Sequence, residues 1–128
     1  MTPNYELFRL IYQMAEAKEK TFDFLPEAGT QYPFIYIGEN NALENPNNDL
    51  WGEVGQTVHI YAERTQRGVL DDITAYLETN VKNISGKWEY HLQHTNTNKQ
   101  IIPDNTDVRP LLHVVLDVFY TYTKKEKK

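Results

Sequence analysis

Hydrophobic and polar positions recur along this chain with two periods, and the switches between them mark out its elements. From about Pro3 to Lys20, Leu7, Leu10, Ile11, Met14 and Ala15 fall at helical spacing, with Phe8 and Tyr12 widening the stripe. Thr2 and Pro3 suit a cap and first turn, Glu6 suits the positive end of the helix, and Lys18 and Lys20 its negative end. A second stripe, Leu70, Ile73, Leu77 and Val81 with Tyr76 beside it, predicts a helix over about Val69 to Val81. Elsewhere the period is two. Val58, Ile60 and Ala62 oppose Thr57, His59 and Tyr61 in a strand from Val54 to Glu63. Trp88, Tyr90 and Leu92 oppose Glu89, His91 and Gln93 in a strand from Lys87 to Thr95. The longest run, Pro110 to Thr123, sets Leu112, Val114, Leu116, Val118, Tyr120 and Tyr122 on one face, against a mixed face that includes His113, Asp117 and Phe119.

Shorter signals complete the order. Thr21 to Leu25 reads as a short edge strand or extended arm, closed by the turn Pro26-Glu27-Ala28-Gly29. Tyr32 to Glu39 reads as a strand, with Pro33 at its entry and Phe34, Ile35, Tyr36 and Ile37 apolar on both faces. Two stretches read as long polar loops, Asn40 to Gly52 with its five Asn residues, and Asn96 to Arg109 with Pro103. Lys124 to Lys128 reads as a basic, disordered tail following a single domain over 1–123. Two helix stripes and one continuous apolar sheet face predict an α+β fold. In it a two-layer sandwich sets both helices on one face of a mainly antiparallel sheet of four to five strands. The last strand, about 43 Å long at its usual rise, exceeds the roughly 36 Å diameter of a domain this size, so it is expected to bend or to reach beyond its own core.

Composition narrows the class. One hundred and twenty-eight residues make one domain, and 40% hydrophobic with 24% charged residues excludes a disordered chain. A net charge of -5 disfavours nonspecific binding to phosphate backbones. Without cysteine there is no disulfide, thiol nucleophile or thiolate-bound zinc. No signal-like start or membrane-length apolar run occurs, so a soluble protein of a cytoplasm-like compartment, with no membrane partner, is expected.

Candidate chemistry is sparse. Ser85, the one serine, lies in an exit turn with Gly86 and has no G-x-S-x-G around it. Phosphate-cradling glycine motifs, H-E-x-x-H and EF-hand patterns are absent, so no catalytic residue and no cofactor is assigned. His59, His91 and His113 all fall on the sheet face away from the helices. With adjacent strands in register they could approach to roughly 5 Å, near Asp117 or Glu89, as weak candidates for a metal site; equally, histidine is simply an acceptable residue on a half-exposed sheet. Asp71 and Asp72 open a helix, where carboxylates favour the dipole. Trp51, in a polar segment, either tucks over the sheet edge or anchors an interface. Surplus aromatic β-surface without a catalytic constellation is the profile of an assembly component. Asn48, Leu50, Trp51, His59, Tyr61, His113, Asp117 and Phe119 are its candidate self- or partner-contact residues.

The order of motifs resembles the tail completion proteins of long-tailed bacteriophages. Tyr32-Pro33-Phe34-Ile35-Tyr36-Ile37-Gly38-Glu39 is similar to that family's aromatic-Pro-aromatic strand ending in Gly-acid. Val58-His59-Ile60-Tyr61-Ala62, followed by Arg67-Gly68 and a helix, resembles its next strand and helix entry, and Leu112 to Tyr122 its closing strand. The likeness runs from the first helix to Tyr122; it is weakest across Asn40 to Gly52 and at the Lys-rich end. It implies a non-enzymatic virion protein that caps the head-proximal end of the tail tube as a ring, typically hexameric, and docks it to the head connector. Its implied partners are copies of itself, the tail tube protein and the connector or stopper protein. Its implied place is the head–tail junction, after assembly in the host cytoplasm. A ring needs two different complementary patches on each subunit. The helix-free sheet face and last strand, and the two polar segments, are the candidates for them, and repeated negative charge would limit adhesion to passing DNA. Three other readings stand beside this one: another neck or head-closure component, a small metal-dependent enzyme on the three-histidine face, and a module that captures a peptide on an edge strand.

Overall fold

A computed structural model describes residues 1–45, 48–105 and 107–126, with the side chains of residues 44, 45, 48 and 49 outside the description. The chain runs α1 (Pro3–Glu16), β1 (Thr21–Phe22), β2 (Phe34–Asn45), β3 (Asn48–Glu63), a 3-10 turn (Arg64–Gln66), α2 (Arg67–Val81), β4 (Tyr90–Asp104) and β5 (Leu111–Lys124). The strands form one sheet in the order β1-β2-β3-β5-β4. β1 pairs with β2 in parallel and every other pair is antiparallel. Both helices pack on one face, so the fold is the expected α+β two-layer arrangement.

Periodicity explains the core. Leu7, Ile11 and Ala15 of α1 and Leu70, Ile73, Leu77 and Val81 of α2 are buried against Val58, Ile60, Ala62, Leu112, Val114, Leu116, Val118, Tyr120 and Tyr122. Two hydroxyls tie these elements together. Tyr120 donates to the Val81 carbonyl at 2.6 Å, satisfying an end of α2, and Tyr76 donates to the Met14 carbonyl at 2.8 Å, joining the helices. β5 does not overhang its neighbours. β3 flanks it from Leu111 to Thr123 and β4 from Leu111 to Lys124, so the core is as long as the strand.

Glu6 ties α1 to the entry of β4. Its carboxylate, fully buried, accepts the backbone N–H groups of Lys87, Trp88, Glu89 and Tyr90 at 2.7–3.2 Å. Gly86, at φ +91°, lets the chain turn into this cradle, where a Cβ would collide with the Tyr90 carbonyl. Because those amides bond to Glu6, β4 begins at Tyr90 rather than Lys87. Trp88 is therefore not a core strand residue; it lies half-buried beneath the Arg9 guanidinium, 4.4 Å from its ring centroid.

The two polar segments are the main departure from the sequence reading. Asn40 to Asn45 and Asn48 to Gly52 are not loop but the paired far ends of β2 and β3, and Asn96 to Asp104 continues β4. Asn41 to Leu43, Leu50, Trp51 and most of Asn96 to Ile102 are exposed, so neither segment carries the apolar alternation that marks a half-buried strand. Register with β3 and β5 supplies the order that local composition does not. β5 also runs one residue further than expected, through Lys124, and the Lys125 N–H donates to the Glu89 carbonyl at 2.8 Å.

Candidate functional site

Alternation turns one side chain in two toward the helix-free face of the sheet, and the register gathers those of β2, β3 and β5 into rows. Phe34, Tyr61 and His113 form one row, and Tyr36, His59 and Val115 the next. Their rings stack: Tyr61 lies on His113 with centroids 4.1 Å apart and planes 13° apart, and Tyr36 lies on His59 at 5.2 Å and 17°. Between the rows, His59 Nδ1 is 2.8 Å from His113 Nε2, so the two imidazoles share one hydrogen bond and one proton. His59 Nε2 lies 3.2 Å from Glu39 Oε1.

A bulge places Glu39 there. The β2–β3 register shifts between Ile37 and Asn40, and the buried Gln56 pins the displaced residues by donating to the Gly38 and Glu39 carbonyls at 3.1 and 3.0 Å. Burial, and then the positive charge that His59 can carry, hold the His113 imidazole down at a pKa of about 4. Burial alone would raise the Glu39 carboxyl; the hydrogen bond to His59, a backbone N–H and the nearby imidazoles outweigh it and keep Glu39 below its usual range. His113 is therefore neutral and Glu39 ionised near pH 7.

Further along the same face, Thr57 donates to Asp117 at 2.6 Å, and Phe119 lies over Gly55, where a Cβ would come within 3.1 Å of its ring. His59, Tyr61 and His113 are thus brought together, with Asp117 and Phe119 on the same face. His91 is not. It pairs with Thr123 while His113 pairs with Ile102, a separation of about 33 Å along the strands, so the three imidazoles do not converge. Among the described residues no three His, Asp or Glu side chains are placed to hold a metal ion.

Leu50 and Trp51 stand exposed with Leu43 near the tip of the β2–β3 hairpin, so Trp51 does not tuck over the sheet. The side chain of Asn48 lies outside the described residues. At the opposite end, Tyr32, Phe34, Tyr61, Val108, Asp104 and Asp107 are among the residues that line a cleft of about 620 Å³. Tyr32 donates to Asp107 at 2.9 Å; burial and that bond push its hydroxyl up to about 12. Glu39 and Glu6 are the two residues sequence reading missed. A bulge hid the first, and the second gave no signal beyond its place in a first helical turn.

No family model and no curated protein matches the chain. Among solved structures, it is similar to a chain of the virion of the native gene transfer agent particle. The TM-score is 0.67 and the sequence identity 10%, with 94% of this chain and 96% of that one covered. At that identity the likeness is one of fold.

Proposed function

We propose that this chain is a non-enzymatic virion protein that caps the head-proximal end of a phage-type tail tube as a ring and joins the tail to the head. The observation that carries the reading is the near full-length fold likeness to a chain of a phage-like virion. It stands beside the motif order from Tyr32 to Glu39, Val58 to Gly68 and Leu112 to Tyr122. The surface is consistent with contact rather than turnover. The helix-free face is a row of stacked rings and locked polar pairs, and His59 and His113 are engaged with each other and, through His59, with Glu39. In this reading the partners are further copies of the chain, the tail tube protein and the head connector, and the site of action is the head–tail junction.

The test is electron microscopy of particles assembled without the chain. Overlong tails that fail to join filled heads are the expected result. Tails of normal length on heads left unsealed would move the chain to head closure, and normal particles would refute a virion role altogether.

A further inference from the structure

The sheet has two open edges, and we infer that they pair with each other between neighbouring copies: the β4 edge from Asn96 to Ile102 of one copy takes the β2 edge from Asn40 to Glu44 of the next. This deepens the ring reading above and rests on it only for closure. Among the described residues β4 pairs on one side alone, with β5, while β1 covers β2 only at Ile35 and Tyr36. A long uncovered edge is a template for another strand, and monomeric proteins blunt it with charge, proline or bulges. Here those devices bracket the edge of β4 instead of breaking it. The register shift lies between His94 and Asn96 and Pro103 lies at the far end. The one charge between them, Lys99, is tied to Glu78 of α2 at 3.1 Å.

Direction and offset also fit. β2, β3, β5 and β4 alternate in direction, so β2 and β4 run oppositely. A neighbour generated by rotation about an axis roughly along the strands therefore brings its β2 antiparallel to this β4, and each further copy repeats the step. The middle of the β2 edge, Ala42, lies level with Tyr120 of β5, and the middle of the β4 edge, Lys99, lies level with Leu116. That offset is about 13 Å along the strands, against about 19 Å across four of them, a tilt of about 35°. Closed barrels tilt their strands by roughly 35–45°, so edges staggered this way suit a closed ring better than a flat sheet. Two different edges in one contact make it heterologous, the type that closes by rotation. Ala42 pairs with Val54 and Lys99 with Leu116, and both partners are buried beneath the helices, so the two central residues share the helix side and can oppose each other.

The chain has no cysteine, so engineered pairs report the contact directly. Ala42→Cys is combined with a cysteine replacing Thr97, Lys99 or Ile101, all on the helix side, and in controls with one replacing Asn98 or Gln100, on the other side. The proteins are oxidised at high concentration, and mass is read by light scattering and by nonreducing gel. One of the helix-side pairs is expected to give a ladder that closes on a discrete ring. Mixing the matching single variants is expected to give one heterodimer, and the controls no ladder. Homodimers from a single variant would show a two-fold edge contact and overturn the inference, as would the absence of any cross-link. Rings of discrete mass without the 42 cross-link would remove the edge assignment and leave the ring reading standing. A ladder from a chain whose loss leaves heads and tails normally joined would keep the edge contact and remove the reading.

Discussion

Replacing Glu6 with alanine tests whether one carboxylate organises the entry to β4. The substitution leaves four backbone N–H groups, those of Lys87, Trp88, Glu89 and Tyr90, facing the space that the carboxylate filled. Hydrogen bonds to a charged group contribute about 1.5–3 kcal/mol each, but four bonds to one carboxylate are not additive. Breaking a buried charged interaction from one side costs about 3–5 kcal/mol, which is the value expected here. Against a typical total of 5–15 kcal/mol that is a large fraction of the stability. With a urea slope of about 2 kcal/mol/M, the unfolding midpoint should fall by about 1.5–2.5 M. Trp88 sits in the cradle and Trp51 near the hairpin tip, so a Trp51→Phe background isolates the local fluorescence signal from the distant one. Glu6→Gln fills the same volume but turns an amide donor toward two of the four N–H groups, and it should recover less than half of the loss. Amide exchange at residues 87–90 should accelerate in both variants ahead of global unfolding. A midpoint within about 0.5 M of the parent for Glu6→Ala, about 1 kcal/mol at that slope, would show that water satisfies the cradle and that the carboxylate is dispensable.

His113 ties stability to acidity. Its folded pKa, near 4, lies below its unfolded value, so the unfolded chain takes up a proton first as pH falls. Stability should therefore decline from about pH 6.5 to about pH 4, by roughly 1–2 kcal/mol once solvent screening of this part-exposed ring is allowed for. Urea midpoints at pH 7 and pH 5 should differ less in His113→Asn than in the parent. Tyr120→Phe removes the donor to the Val81 carbonyl and leaves an acceptor buried at the end of α2, a loss of about 1–2 kcal/mol readable as a lower Tm.

The core was legible because it is periodic. Every residue of the α2 stripe and of the inner set of β5 predicted from spacing is buried, and so are Val58, Ile60 and Ala62. Register was not legible, and the site depends on it. Whether His59 meets His113 or His91 is decided by strand pairing, to which no local pattern points, so the face was predicted and its membership was not. Glu39 was hidden for a related reason: a bulge breaks period two where the side chain is re-aimed. Glu6 reads as an ordinary first-turn acid, and only the fold brings the amides of a loop some eighty residues later onto it.

The segments Asn40 to Asn45, Asn48 to Gly52 and Asn96 to Asp104 failed differently, and their failure bears on function. Strand pairing holds them, yet Asn41, Ala42 and Leu43 of one and most of Asn96 to Ile102 of the other are exposed, so apolar burial within this chain does not account for their extended form. A sequence that satisfies its own core has no reason to carry two long, weakly charged strand extensions whose outer edges pair with no other strand among the described residues, because such edges invite aggregation. Local signals and fold disagree most often where a protein does something besides folding. Here the disagreement falls on two edges of one sheet that are opposite in direction and staggered by the tilt that closes a barrel, so the polar residues that obscured the strands are the ones a neighbouring copy would read through its backbone.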